Sequence, residues 1–175
     1  MPASAILFLT GCGVTECDSG KIDISTEKPE LSLLFNVSEK GDLPSRFEFS
    51  SAEFAEAVVG TWSDSELAVT LTLTPSDPAE VQYSTSEDSS ICVTESSIEV
   101  TGEMDDSVES DTLAGIFSSS KSVEGATLSL GDETKSCWFE YKIHDDGRIM
   151  LHGSCLTQDP DGGEATSEEL AFVKN

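Results

Sequence analysis

From Glu66 to Thr74 apolar and polar residues alternate without a break. Leu67, Val69, Leu71 and Leu73 fall on one face, and Ala68, Thr70, Thr72 and Thr74 on the other. Successive side chains of a strand point to opposite faces, so this pattern predicts a strand with one face buried. Shorter strand-like runs occupy 31–37, 46–49, 80–85, 113–117, 126–130 and 169–173, and 91–94 with 98–104 reads as a hairpin. Turn chemistry separates these runs, as at Lys40-Gly41-Asp42 and Pro75-Ser76-Asp77-Pro78. One helix stands out. Ser50-Ser51-Ala52-Glu53 has the spacing of a capping box, Phe54, Ala57 and Val58 form a short apolar face, and Gly60 stops the helix in a left-handed conformation. Short strands at close, regular spacing predict an all-β fold, an antiparallel up-and-down barrel, with a β-sandwich as the alternative.

Composition sharpens this picture. The 175 residues include 34 Asp and Glu against 9 Lys and Arg, a formal charge of −25. Nucleic-acid binders carry basic patches, so this balance excludes nucleic acid as a partner. It also excludes peripheral docking on anionic lipid headgroups. Excess carboxylate with little lysine keeps a protein hydrated and soluble.

The chain opens with an apolar stretch over residues 3–10, followed by Gly11 and Cys12. Leu9-Thr10-Gly11-Cys12 resembles the lipobox of bacterial lipoproteins, in which the signal is cut before a cysteine that becomes acylated. The resemblance implies that residues 1–11 are the remnant of a signal peptide, that Cys12 is the lipidation site, and that the membrane is reached through acylated Cys12. Only eleven residues precede Cys12 and none is basic, so a start further upstream is expected. Gly13 follows the cysteine in place of Asp, which by the same resemblance implies the outer membrane. A cell-envelope, periplasmic or extracellular location follows. The polar segment 12–30 reads as a tether, and 31–175 as a single β-barrel domain.

Set Cys12 aside and four cysteines remain, Cys17, Cys92, Cys137 and Cys155. An even count in an exported chain points to two disulfides. Between the last two, Asp145-Asp146-Gly147 fits a three-residue hairpin loop with glycine in the left-handed position. Closing that loop pairs His144 with Arg148 and brings Cys137 directly opposite Cys155. Phe139, Tyr141 and Ile143 then share one face with Ile149, Leu151 and Gly153, so pattern and register agree. The expected bridges are Cys137–Cys155 and Cys17–Cys92. With no C-x-x-C and only two unrelated histidines, no metal site or cofactor is expected.

At Gly60-Thr61-Trp62, after the predicted helix and before the alternating strand, the chain resembles the lipocalin and calycin-like barrels. In that family a Gly-x-Trp motif opens the first barrel strand, and the Trp plugs the closed end against a basic side chain near the end of the last strand. Lys174 is the candidate for that basic partner. The resemblance implies a lipocalin-like barrel over about 50–174. Its inward face would include Trp62, Leu67, Val69, Leu71, Phe139, Tyr141 and Leu151 as the ligand-binding interior.

The candidate chemistry is sparse. The hairpin register sets Glu140 opposite His152 on the outer face, a cross-strand pair of modest value. No nucleophile elbow, phosphate-cradling loop or dinucleotide fingerprint is present, so no enzyme is expected. The acidic groups Asp159–Glu164 and Asp105, Asp106, Glu109, Asp111 raise a calcium-dependent structural or adhesive module as one alternative. The leading expectation is a non-enzymatic lipoprotein whose barrel binds a small apolar ligand or a protein partner. An inhibitor of a secreted hydrolase, such as lysozyme or a protease, is the other alternative.

Overall fold

The computed structural model describes residues 19–23, 32–39, 45–88, 91–120, 125–144, 146–159 and 161–175, with side chains described over 53–83, 95–119, 126–144, 146–159 and 161–175. The elements are β1 (Ser19–Asp23), β2 (Ser32–Glu39), β3 (Ser45–Ser50), α1 (Ser51–Val58), β4 (Gly60–Asp64), β5 (Val69–Pro75), β6 (Glu80–Asp88), β7 (Ile91–Asp105), β8 (Ser110–Ser120), β9 (Gly125–Gly131), β10 (Lys135–Ile143), β11 (Ile149–Thr157) and β12 (Thr166–Lys174).

Eight staves close into a barrel. From β7 to β12 each strand pairs antiparallel with the next, β4 pairs β5, and β5 pairs β7. β12 returns to β4 through Val173↔Ser63 and Lys174↔Trp62. A closed ring of eight strands takes the place of the sandwich alternative. β5 and β6 share one lane beside β7. Pro75 faces Val100 and Val81 faces Ile98, while residues 76–79, with a cis Asp77–Pro78 peptide, bulge out between them. β2 and β3 form a hairpin that joins β10 only through Ser38 and Glu39, parallel to Lys142 and Ile143.

The core follows the period of two. Val69, Leu71 and Leu73 from β5, Leu128 and Leu130 from β9, Phe139 and Tyr141 from β10, and Leu170 and Phe172 from β12 all point inward and are buried. Each such side chain contributes roughly 1.5–3 kcal/mol on removal from water. Phe139 and Phe172 meet edge-on at 5.6 Å, a geometry that aligns ring edge with ring face.

Four expectations are corrected. The strand read from Glu66 begins at Val69. Asp64 captures the backbone N–H groups of Glu66 and Leu67, and Ala68 takes a φ of 56°, which breaks the alternation and turns Leu67 outward. The hairpin read at 91–104 is one continuous strand, β7. Glu95-Ser96-Ser97 holds no Gly, Pro, Asn or Asp, and the ladder grips Ser96 from both sides, by Tyr83 and by Ser119. The tether read over 12–30 contains β1, which pairs with β6 from Ser19↔Ser84 to Asp23↔Glu80, so the sheet starts before residue 31. Helix α1 ends at Val58 and Gly60, with a φ of 129°, already begins β4.

Candidate functional site

One end of the barrel is plugged from the sequence outward. The chain leaves the helix at Val58 and enters β4 two positions later, which Gly60, the first residue of β4, allows at its positive φ. That tight junction folds Trp62 under α1. The indole is fully buried, and its Nε1–H donates to the Val58 carbonyl at 2.9 Å. Lys174 closes the ring from the last strand. Its Nζ lies 5.5 Å from the Trp62 ring centroid and donates to the carbonyls of Glu56 and, at 3.1 Å, Ala57. The lysine thus caps the carbonyl end of α1 while stacking on the indole. Burial lowers its pKa from the ordinary lysine value, and the nearby Glu56 carboxylate opposes that. Phe54 from α1 meets Phe117 at 5.2 Å, Phe117 meets Tyr141 at 5.6 Å, and Tyr141 meets Trp62 at 6.3 Å. Burial pushes the Tyr141 phenol up to about 12. Beside this aromatic plug the paired Ser96 and Ser119 are buried, and neither hydroxyl finds a hydrogen-bond partner.

At the opposite end the Cys137–Cys155 disulfide spans directly paired positions with a Cα–Cα distance of 4.0 Å. It is buried, with Val69, Met104, Leu130 and Leu170 also buried near this end. The interior is therefore occupied by side chains from Trp62 to the disulfide. Six of the seven residues expected inside are inside: Trp62, Val69, Leu71, Phe139, Tyr141 and Leu151. Leu67 is 45% exposed on the rim. Cys12, its lipobox and the Cys17–Cys92 pairing lie outside the described residues.

Four loops frame this mouth, and an aspartate opens each one. Asp64 Oδ1 accepts from Glu66 N and Leu67 N at 2.9 and 3.1 Å. Asp106 Oδ1 accepts from Val108 N and Glu109 N at 2.6 and 2.7 Å. Asp132 Oδ1 accepts from Thr134 N and Lys135 N, both at 2.7 Å, and Asp159 Oδ1 from Asp161 N at 2.8 Å. A short carboxylate can satisfy the orphan donors of a tight turn in this way. These bonds hold the carboxyls of Asp106 and Asp132 below the usual aspartate range. Asp64 differs because it is only 5% exposed, and its Oδ2 also accepts Ala171 N at 2.8 Å. Burial pushes its pKa up, but the three backbone donors from Ala171, Leu67 and Glu66 outweigh burial and leave it lowered.

Of the acidic residues read as calcium candidates, Asp106 and Asp159 accept backbone N–H groups and Asp111 pairs with Lys135. Among the described residues, no three Asp, Glu, His or Cys side chains converge where a metal ion could sit. Around the mouth Asp105, Asp106, Glu109, Glu133, Asp161 and Glu164 are exposed. Lys135, a cation of this rim, is tied to Asp111. Two apolar tips project among the carboxylates, Leu67 and the 84% exposed Val108. They sit on adjacent loops, because Thr70 pairs with Asp105. The recurring turn-opening aspartate was the sequence signal for this rim. The exposed tips had none, since Leu67 continues an apolar register. On the outer face Glu140 pairs with His152 as expected, but its carboxylate lies 2.6 Å from Lys142.

Compared with known proteins, the chain matches no family model, no curated protein and no solved structure.

Proposed function

We propose that this chain is a non-enzymatic envelope lipoprotein, held at the membrane through acylated Cys12, whose barrel uses its acidic mouth to bind a basic protein partner. The observation that carries this reading is the rim itself. Four aspartate-capped turns fix a ring of carboxylates, and two adjacent loops of that ring carry exposed apolar tips, Leu67 and Val108. Preorganised charge steers a cationic partner, and the exposed apolar groups beside it supply the contact that lasts. A secreted hydrolase with a basic surface, such as lysozyme, fits this chemistry, and blocking it would make the protein an inhibitor. Buried side chains fill the barrel from Trp62 to the disulfide, which favours the rim over a small apolar ligand held inside.

The test is calorimetric titration of the full chain with a basic lysozyme at low ionic strength. The expected result is binding that weakens steeply with added salt and that Val108→Ser weakens about tenfold. Absence of binding, together with full lysozyme activity at micromolar concentrations of this protein, would overturn the inhibitor reading. Intact mass of the protein from its native host, with Cys12 unmodified, would remove the anchor.

A further inference from the structure

Strand β12 outruns its neighbour on one side. Towards β11 it is paired from Thr166 to Val173. Towards β4 it is paired only at Val173 and Lys174, and just past them the Asn175 N–H donates to the Thr61 carbonyl at 3.0 Å. β4 ends at Asp64, and the turn at residues 65–68 carries the chain away to β5. The first half of β12 therefore has a ladder on one side only.

The phase of the ladder identifies the groups left over. Successive residues of a strand turn their N–H and C=O groups to opposite edges. Asn175 bonds to β4, so the odd-numbered residues of β12 address that edge and the even-numbered ones address β11. Val173 meets Ser63 there, and the Ala171 N–H is taken by Asp64 Oδ2 at 2.8 Å. Glu169 and Ser167 come next. Both are exposed, and no partner among the described residues meets their backbone groups on this side. Asp64 marks the point where pairing stops, and beyond it an edge of the sheet stands open at the mouth.

An open edge is a template for another strand. Charge decides which strand. Glu168 and Glu169 on the edge, Glu66 on the adjoining turn and Glu164 just before β12 are all exposed, and neither 65–68 nor 161–170 contains a lysine or arginine. A second copy would lay β12 along β12 and set like charges opposite one another, which is destabilising. A strand with basic residues on both faces meets a carboxylate on each. Glu169 lies on the outer face with Ala171, and Glu168 on the inner face in line with Leu170, where β12 reaches the mouth. We infer that the free edge of β12 at Ser167 and Glu169 is a strand-addition site for an extended basic segment of a protein partner. The inference rests on the reading of the acidic mouth as the docking end for a basic protein, and adds how that partner is held. Backbone hydrogen bonds provide the grip, and the flanking carboxylates select the charge.

The probe is the peptide Lys-Val-Lys-Lys-Val-Lys, titrated into the full chain at physiological salt and followed by amide hydrogen exchange. Ser167 and Glu169 should exchange fast in the free protein and slow on saturation, while Ala171, already bonded to Asp64, is slow throughout. Methylating the backbone nitrogens of the two central peptide residues keeps the charge but removes a donor from each edge, and should weaken binding about tenfold. Glu168→Gln with Glu169→Gln should weaken it about fivefold. Ser167→Pro removes an N–H that β11 does not use and should abolish binding, with Trp62 fluorescence and the Cys137–Cys155 bridge reporting an intact fold. Equal affinity for the methylated peptide would overturn the inference, since charge alone would then explain binding. Slow exchange at both amides in the protein alone would also overturn it, because the edge would already be covered by this chain or a second copy. Lysozyme keeps the two readings apart. If it binds while the peptide protects no β12 amide, strand addition is wrong and the mouth reading stands; if neither binds, both fall.

Discussion

Asp64 joins three parts of the molecule through one carboxylate. It ends β4, caps the following turn and reaches Ala171 on β12, so it fastens the seam where the barrel closes. That seam has only two ladder pairs of its own, Val173↔Ser63 and Lys174↔Trp62, so a buried acceptor there carries unusual weight. Asp64→Asn keeps one oxygen but loses the charge and the second acceptor, and should cost about 1–3 kcal/mol at neutral pH by chemical denaturation. The pH dependence has a definite sign. A carboxyl lowered in the folded state contributes stability in full above its unfolded value, about 3.9, and loses it as pH falls through the folded value. Unfolding midpoints should therefore drop below about pH 4 in the parent, and Asp64→Asn should flatten that limb. Lys174 is the second residue with a clear test. Lys174→Met preserves the stem over Trp62 but removes the cap on Glu56 and Ala57. Desolvation of the ammonium offsets part of its gain, so the expected loss is about 1 kcal/mol, with a changed near-ultraviolet signal from Trp62.

At the scale of elements, the hairpin of β10 and β11 shows why some structure is readable from sequence. Its turn requires glycine at a positive φ, and Gly147 has 82°. The turn fixes the register, and the register places Cys137 against Cys155 and Phe139 against Gly153. Local chemistry and long-range pattern agree there, so the strand pairing and its disulfide were legible. The plug was legible only through the Gly-x-Trp resemblance at Gly60 and Trp62, which also supplied the role of Lys174, and not through any pattern in the chain itself. Leu67 was not, since its place depends on a side chain three residues earlier taking its N–H. Nor was the unity of β7, since Ser96 is polar yet points inward. Gly153 carries a further test. A Cβ there would land on the Trp138 carbonyl oxygen and within 2.8 Å of Phe139 Cα, both backbone positions that cannot rotate away. Gly153→Ala should cost about 3 kcal/mol, in the upper range for overpacking, and should lower the melting temperature without changing the Cys137–Cys155 connectivity.

Across the whole molecule, charge and fold pull against each other. The barrel buries its apolar rows efficiently, but closure brings four acidic loops into one ring, where their carboxylates oppose one another across the mouth. Each turn-opening aspartate stabilises its own loop through backbone donors, so local gain and collective repulsion arise from the same residues. Screening should relieve the second without touching the first, because the loop bonds are short and the repulsion acts over distances comparable to the Debye length, about 8 Å at physiological salt. Raising sodium chloride from roughly 10 mM to 150 mM should therefore raise the melting temperature by several degrees and then level off. Calcium separates this effect from a built site. If carboxylates act only as a diffuse charge, sub-millimolar calcium should add no more stability than sodium chloride at matched ionic strength. A saturable rise at micromolar calcium, reversed by chelator, would instead mean that acidic side chains converge on a cation. The described residues give no such convergence, and the oxygens best placed to begin one, on Asp106 and Asp132, already accept backbone hydrogens. Screening is therefore the expected result, and the thermal midpoint in the two salts decides it.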